Sequence, residues 1–230
     1  MKKLIMTLSL VLGIYSANAQ GFFDRFGGQG TTSNMLRNGV IDKKDSNISG
    51  TQYFDEKFYY AEISGVPEKV LTRYNTATDE IEIKKEDGQA EFLLPKTEEY
   101  STIISNYGRY ILKRVNYTSL KGESINGYLV ELWSNESAVS LLRRDKMRIE
   151  EAREGNGYTG QIPAKYSKAT PEYYLQTKNK EVVLFPKNKK ALTEMFPEKK
   201  AQIEEFLKAN KVSWKNEEGM TKITQFIATL

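Results

Sequence analysis

The chain has 230 residues, of which 39% are hydrophobic and 28% charged, and its formal net charge at pH 7 is +4. A charge this close to neutral argues against a nucleic-acid binder, because such proteins usually carry a strong excess of basic residues. The chain contains no cysteine and no histidine. These absences exclude cysteine nucleophiles, Ser-His-Asp triads, disulfides and nearly all zinc, copper and haem ligation, so we expect no cofactor.

The first nineteen residues have the pattern of a cleavable signal peptide. The basic start Met1-Lys2-Lys3 is followed by an apolar stretch over 4–15 and then by the small residues of Ala17-Asn18-Ala19. This order predicts a signal peptide over 1–19 and a mature chain that begins at Gln20; the alternative is an uncleaved or buried N-terminal helix. The apolar stretch is shorter than the ~20 residues that cross a bilayer. We therefore expect an exported protein of the periplasm, the outer membrane or the cell surface, with no transmembrane span.

Residues 20–50 are rich in Gly, Ser, Thr and Asn, which is typical of a flexible leader or of a segment lying extended on the body of the protein. Phe22, Phe23 and Phe26 are the exception. Three phenylalanines within five residues suggest an anchor for a partner surface. The alternative, which the sequence favours, is that they pack on the protein's own sheet.

Residues 51–185 alternate apolar and polar positions with the period of two that is typical of strands. Asp87-Gly88 predicts a hairpin turn. Residues 138–149 fit either a helix or a strand, with the strand favoured, and the glycines of 151–169 predict a loop. The predicted strands are 58–63, 70–75, 80–85, 90–94, 101–105, 109–117, 127–133, 173–177 and 181–185.

The pattern changes to a helical period at Pro186, and residues 186–230 predict about three short helices. Asn188 caps the first helix, Pro197 suits the first turn of the second, and Asn216 caps the third. Each helix has one apolar side, so the helices should pack on each other or on the sheet. The sequence thus predicts an α+β fold: an antiparallel β-meander sheet over 51–185, followed by a helical C-terminal subdomain.

Paired carboxylates are the main catalytic chemistry that this composition permits. Glu80 and Glu82 share one side of a predicted strand, and glycosidases need two carboxyl groups at a set separation. However, they alternate with Ile81 and Ile83, which places both glutamates on the solvated face of the strand. A solvated face is the favoured interpretation, and a carboxylate-dependent hydrolase is the third hypothesis for the function.

Glu131 and Trp133 form a candidate ligand-binding pair on a predicted strand. An exposed tryptophan next to a carboxylate is a common feature of carbohydrate-binding surfaces, and the many tyrosines could extend an aromatic face. The alternative is that Trp133 packs in the core, which is the more frequent role of tryptophan in a sheet.

Several stretches of the sequence resemble uncharacterised exported proteins of Bacteroidota. The matching stretches are 17–20 (ANAQ), 73–75 (RYN), 79–82 (DEIE), 185–189 (FPKNK), 203–208 (IEEFLK) and Ile223. The resemblance implies a periplasmic or surface location in a host with two membranes, and it carries no functional residues. The leading hypothesis is a non-catalytic exported protein that acts as an accessory or structural partner in the cell envelope, associated with the outer membrane. The expected partner is an outer-membrane or other envelope protein. The second hypothesis is a glycan- or peptide-binding module.

Overall fold

The computed structural model describes residues 22–23, 48–135, 139–155 and 160–230 of the chain. These residues form twelve strands followed by three α-helices. The strands are β1 Tyr59–Ile63, β2 Val70–Asn75, β3 Glu80–Lys84, β4 Phe92–Leu93, β5 Thr102–Ser105, β6 Tyr110–Thr118, β7 Ser124–Ser134, β8 Ser140–Arg144, β9 Met147–Glu150, β10 Lys165–Lys168, β11 Glu172–Gln176 and β12 Val182–Leu184. The helices are α1 Lys189–Met195, α2 Lys200–Ala209 and α3 Glu217–Thr229.

Ten of the strands form one antiparallel sheet in the order β12-β11-β8-β7-β6-β5-β1-β2-β3-β4. The predicted α+β fold with a meander-like sheet is therefore confirmed. Two connections depart from a simple meander. After β4 the chain returns to pair β5 with β1, and β9 and β10 leave the main sheet to form a two-stranded sheet of their own.

The ten-stranded sheet carries apolar side chains on both faces. On the face that we call the first face, Ile81, Ile83 and Leu141 are fully buried. On the opposite, second face, Leu142 and Tyr174 pack in a separate cluster with Leu129. Because both faces are covered, alternation along a strand does not by itself separate buried from exposed positions.

The sheet curls around the first face, so that strands far apart in the strand order come into contact. The Tyr74 ring on β2 meets the Tyr128 ring on β7 edge to face, with 6.1 Å between ring centroids. The first face is therefore enclosed by the sheet itself along β1–β7. Along β8, β11 and β12 the same face is covered by the three helices, through a core that includes Leu141, Ile203 and Ile223.

Two of the three helices begin where the sequence predicts. The Asn188 side chain accepts a hydrogen bond from the Ala191 backbone N–H at 2.9 Å, and Asn216 accepts one from Gly219 at 2.9 Å. Pro197 opens a short 3₁₀ turn that leads into α2. These side-chain caps satisfy backbone donors that have no partner within the first turn of a helix.

The predictions for two less regular segments have different outcomes. The strand favoured for 138–149 is confirmed in two pieces, β8 and β9, although Ala138 lies outside the described residues. The loop predicted over 151–169 is wrong at its end, because 165–168 form β10 and pair with β9. Its polar sequence lacks the usual strand signal, and pairing with β9 alone makes it a strand. Among the described helices, none combines the length and hydropathy that a membrane-spanning segment requires.

Candidate functional site

Four separate segments meet beside one end of the curled sheet. The turn after β2 is held on one side by the Gln52 carbonyl, which accepts hydrogen bonds from the backbone N–H groups of Thr76 and Ala77 at 2.9 and 3.2 Å. On the other side, the Thr76 carbonyl accepts a hydrogen bond from the Met147 N–H at 3.2 Å. The Lys146 carbonyl in turn accepts one from Ala169 at 2.8 Å. These bonds fix the walls of a cleft.

The cleft has two adjoining parts, which share Thr76, Asp145 and Lys146 in their lining. The larger part measures about 440 Å³ and the smaller about 270 Å³. A volume of this size is in the range of small-molecule sites in proteins. Both parts together are called the basic cleft below. Its charged and aromatic lining includes Phe54, Tyr110, Arg143, Asp145, Lys146 and Lys168 in the larger part, and Asp79, Lys96 and Arg144 in the smaller.

The lining of the basic cleft has five cationic side chains and two carboxylates. Three of the cations are neutralised by nearby acids. Lys96 lies 3.0 Å from Asp79, Arg143 lies 2.9 Å from Asp145, and Arg144 lies 3.2 Å from Glu172. The same Arg143 also reaches Glu217, at the start of α3, at 2.7 Å. These cations are therefore held in place by the protein itself.

Lys146 and Lys168 are the remaining two cations, and neither forms an ion pair with any residue that the structure describes. They lie at the same end of the two-stranded sheet, since Lys168 pairs with Met147, which follows Lys146 directly. Both lysines line the larger part of the cleft, which therefore carries two positive charges without an ion-pair partner in the described part of the chain.

Two aromatic residues form an apolar wall of the larger part of the cleft. Phe54 and Tyr110 are half-buried and meet edge to face, with 5.0 Å between ring centroids. Both rings line the larger part of the cleft. The cleft thus offers an apolar surface and cationic groups side by side, an arrangement that suits a ligand with one apolar face and one anionic group.

Asp79 fixes the smaller part of the cleft to the curled sheet. Its Oδ1 accepts hydrogen bonds from the Tyr74 hydroxyl at 2.8 Å and from the Tyr128 backbone N–H at 3.1 Å. Burial, together with the negative charge of Asp79, raises the pKa of Tyr74 well above its usual value. The Tyr74 hydroxyl therefore stays protonated and donates to Asp79.

The structure corrects the solvated position predicted for Glu82. Its side chain is only 1% exposed, and it lies on the second face of the sheet opposite Arg73 on β2. Arg73 donates to the Glu82 carboxylate through Nε at 2.9 Å and lies over the rings of Tyr53 and Phe58. The alternation pattern fails because these aromatic residues cover the second face at this point. Burial raises the pKa of Glu82 even though Arg73 opposes this effect.

This burial also bears on the paired carboxylates considered for catalysis. Glu82 is enclosed by Arg73 and Asn75, and Glu80 is partly exposed at the end of the same strand. The two carboxyl groups therefore do not form an accessible pair. The arrangement around Glu82 and Arg73 joins the segment before β1 to the β2–β3 hairpin.

Glu131 and Trp133 do not share a face, contrary to the expectation from strict alternation. Glu131 pairs with Leu142 and Trp133 pairs with Leu141, so two steps along β7 match a single step along β8. This β-bulge sends the two side chains to opposite faces. Glu131 lies 3.8 Å from Lys113, while Trp133 is half-buried against the core beneath the helices.

Two of the three phenylalanines near the N-terminus lie against the protein's own sheet. Phe22 is 3% exposed and meets the Tyr100 ring edge to face, with 5.7 Å between centroids. Phe23 packs beside Phe92 at 6.3 Å. In this arrangement Phe22 is not available to a partner. Phe26 lies outside the described residues.

The residues of the basic cleft do not stand out in the sequence. Phe54, Thr76, Tyr110, Lys146 and Lys168 are widely separated, and no motif connects them. Lys146 lies between two strands, in a segment whose sequence fits a strand or a helix with the strand favoured, and Lys168 lies in a segment for which the sequence predicts a loop. Only the folding of the β9–β10 sheet against the turn after β2 brings them together.

Comparisons with known proteins add no assignment to this geometry. No protein-family model matches the chain. No curated protein and no solved structure is significantly similar to it. The basic cleft is therefore interpreted from its own residues, and the function is inferred from their chemistry.

Proposed function

We propose that this chain is a non-catalytic exported protein that acts as an accessory or structural partner in the cell envelope, and that it binds an envelope component through the basic cleft. The N-terminal signal pattern supports export, and the resemblance to exported Bacteroidota proteins supports an envelope location. The absence of histidine and cysteine from the sequence supports a binding rather than a catalytic role.

The observation that carries the proposal is the pair of cations at the cleft, Lys146 and Lys168. Every other cation of the lining forms an ion pair with an acid of the chain. Lys146 and Lys168 line the same part of the cleft and have no ion-pair partner among the described residues, so they supply positive charge that can attract an anionic partner. The two carboxylates of the lining, Asp79 and Asp145, are each bound to a cation.

Export is tested by fractionating cells that produce the full chain with a C-terminal tag. We expect the tagged protein in the periplasmic or outer-membrane fraction, with Gln20 as its first residue by N-terminal sequencing. A matched variant, Ala19→Arg, should block cleavage because signal peptidase requires a small residue before the cut. A full-length precursor confined to the cytosol in both proteins would contradict the proposal.

Binding is tested by co-sedimentation of the purified mature protein with isolated envelopes of the same organism. We expect the wild type to sediment with the envelopes, and the double variant Lys146→Glu/Lys168→Glu to remain in the supernatant. The control is Lys178→Glu/Lys208→Glu, which makes the same change of net charge at exposed positions away from the cleft. Equal loss of binding in both double variants would show a non-specific charge effect and contradict a role of the cleft.

A further inference from the structure

The lining of the basic cleft also indicates the chemical class of its ligand. This inference rests on the proposed function, in which the cleft binds a partner. We infer that the basic cleft binds a sugar ring that carries an anionic group, either a carboxylate or a phosphate. Lys146 and Lys168 bind the anionic group, and the Phe54–Tyr110 wall packs against the apolar face of the ring.

The charge of the ligand follows from the two lysines. Both side chains are exposed, and both belong to the larger part of the cleft. Arg143 cannot take this role, because Asp145 and Glu217 already occupy its guanidinium group. We therefore assign the anionic group to the ammonium groups of Lys146 and Lys168, which can each donate a charge-assisted hydrogen bond to an anionic oxygen.

The shape of the ligand follows from the aromatic residues of the lining. The rings of Phe54 and Tyr110, with Met147 and Pro171, present an apolar surface, while the charged residues of the lining supply polar groups. A pyranose ring has the matching character, since its C–H groups form apolar patches and its hydroxyl groups form hydrogen bonds. The volume of about 440 Å³ accommodates one or two such rings.

The backbone of the cleft argues against an acidic peptide. Peptides often bind by adding a strand to an open sheet edge. Here the backbone of two residues of the lining is already bonded within the protein: Thr76 is bonded to Gln52 and Met147, and the Lys146 carbonyl is bonded to Ala169. An extended peptide would find few free backbone partners there for its own N–H and C=O groups. A sugar does not depend on such backbone pairing, because its hydroxyl groups can bond to side chains.

The test measures binding of four probes to the purified mature protein by isothermal titration calorimetry. The probes are trigalacturonate, glucose 6-phosphate, neutral maltotriose and triglutamate. We expect trigalacturonate or glucose 6-phosphate to bind, and which of them binds identifies the anionic group. Affinity should fall as the salt concentration rises from about 50 to about 300 mM, because salt screens exposed charges. Binding by triglutamate alone, or equal binding of maltotriose, would overturn the inference.

Two variants assign the binding to the cleft. Lys146→Gln/Lys168→Gln should weaken binding of the anionic sugar at least tenfold, because the charge-assisted hydrogen bonds to the anion are lost. Phe54→Leu keeps an apolar side chain but removes the ring, and it should weaken binding by a smaller factor of about three. The control Lys178→Gln/Lys208→Gln should bind as the wild type does. Unchanged affinity in the cleft variants would overturn the inference.

The outcome is separable from that of the proposed function. If the protein binds envelopes through Lys146 and Lys168 but binds neither anionic sugar, the proposed function stands and the sugar inference fails. If the protein fails to bind envelopes and still binds an anionic sugar through the cleft, the sugar inference stands and the envelope role fails.

Discussion

Asp79 shows how a single side chain closes the curled sheet. It lies in the turn between β2 and β3 with a φ of 59°, a left-handed conformation that aspartate adopts more readily than most residues. From there it bonds to Tyr74 on β2 and to Tyr128 on β7. Gly127 makes this possible, because a Cβ at that position would collide with the Asp79 carboxylate. Asp79 therefore connects strands that are not neighbours in the sheet.

Two substitutions of Asp79 distinguish the contribution of its hydrogen bonds to stability from the contribution of its charge. Asp79→Ala removes the acceptor of two hydrogen bonds inside the structure and should lower the free energy of unfolding by about 3 kcal/mol. Asp79→Asn keeps the acceptor and loses only the ion pair with the partly exposed Lys96, so the loss should be about 1 kcal/mol. Urea unfolding measures both. Equal losses in the two variants would mean that the hydrogen bonds do not stabilise the curl.

Glu82 is a residue whose titration should reduce stability as the pH rises. Burial raises its pKa in the folded chain above the unfolded value, despite the opposing influence of Arg73 and Asn75. The folded chain then binds more protons than the unfolded chain between the two pKa values. The contribution of Glu82 to stability is largest below the unfolded pKa and falls as the pH rises through the folded pKa.

The comparison of the wild type with Glu82→Gln isolates this effect, because glutamine does not titrate. We expect the stability of the wild type relative to Glu82→Gln to decrease from pH 4 towards neutral pH, as measured by urea unfolding across that range. The control is Glu62→Gln, whose ion pair with Lys69 is exposed. An increase with pH would mean that the ion pair with Arg73 outweighs the burial of Glu82.

At the scale of elements, β7 shows how an irregularity decides which residues share a surface. Its bulge between Glu131 and Trp133 changes the register with β8. Before the bulge, Leu129 faces the second face of the sheet; after it, Trp133 joins the first face under the helices. Without the bulge, the helices would lose one of the large side chains that they pack against.

The N-terminal segment at Phe22 is a further element that the fold incorporates. Phe22 is buried beside Tyr100, so Phe22→Ala should lower the free energy of unfolding of the mature chain by about 3 kcal/mol, the usual cost of truncating a buried phenylalanine. The control is Tyr107→Ala at a side chain that is 95% exposed, where the change should stay below about 0.5 kcal/mol. Thermal or urea unfolding measures both. A neutral effect of Phe22→Ala would show that this segment does not pack on the sheet in solution and would restore it as a candidate for partner binding.

At the scale of the whole molecule, the sheet and the helices share one core. Leu141 on β8 and Leu175 on β11 lie in the same cluster as Ile203 on α2 and Ile223 on α3. Arg143 adds an ion pair from β8 to Glu217 at the start of α3. The residues from 186 onward therefore depend on the sheet for their packing, and the sheet depends on them to cover its first face.

We expect the mature chain to unfold in a single transition for this reason. In scanning calorimetry the van't Hoff and calorimetric enthalpies should agree. Ile223→Ala should shift the whole transition to lower temperature, with a loss of about 3 kcal/mol for a fully buried isoleucine. A separate early transition in Ile223→Ala, with the sheet melting as in the wild type, would show that the helices form an independent unit.

Local patterns in the sequence were sufficient to predict most elements. The alternation along β3, the Asp87-Gly88 turn and the helix caps at Asn188 and Asn216 all depend on neighbouring residues. Such local patterns predict a strand, turn or helix independently of its position in the tertiary structure. The β10 strand was missed for the same reason: its polar residues carry no strand signal, and only its pairing with β9 makes it a strand.

The sequence by itself determined the α+β class, the helix caps and the exclusion of histidine and cysteine chemistry, because these follow from composition and from residues close together in the chain. Only the tertiary structure decided that Glu82 is buried, that Glu131 and Trp133 face opposite sides, and that Lys146 and Lys168 line one cleft. The burial of Glu82 depends on the segments that cover the second face of the sheet. The orientation of Glu131 and Trp133 depends on the β-bulge in β7, and the cleft depends on contacts between distant segments. Such contacts are set by the packing of the whole chain rather than by any local pattern.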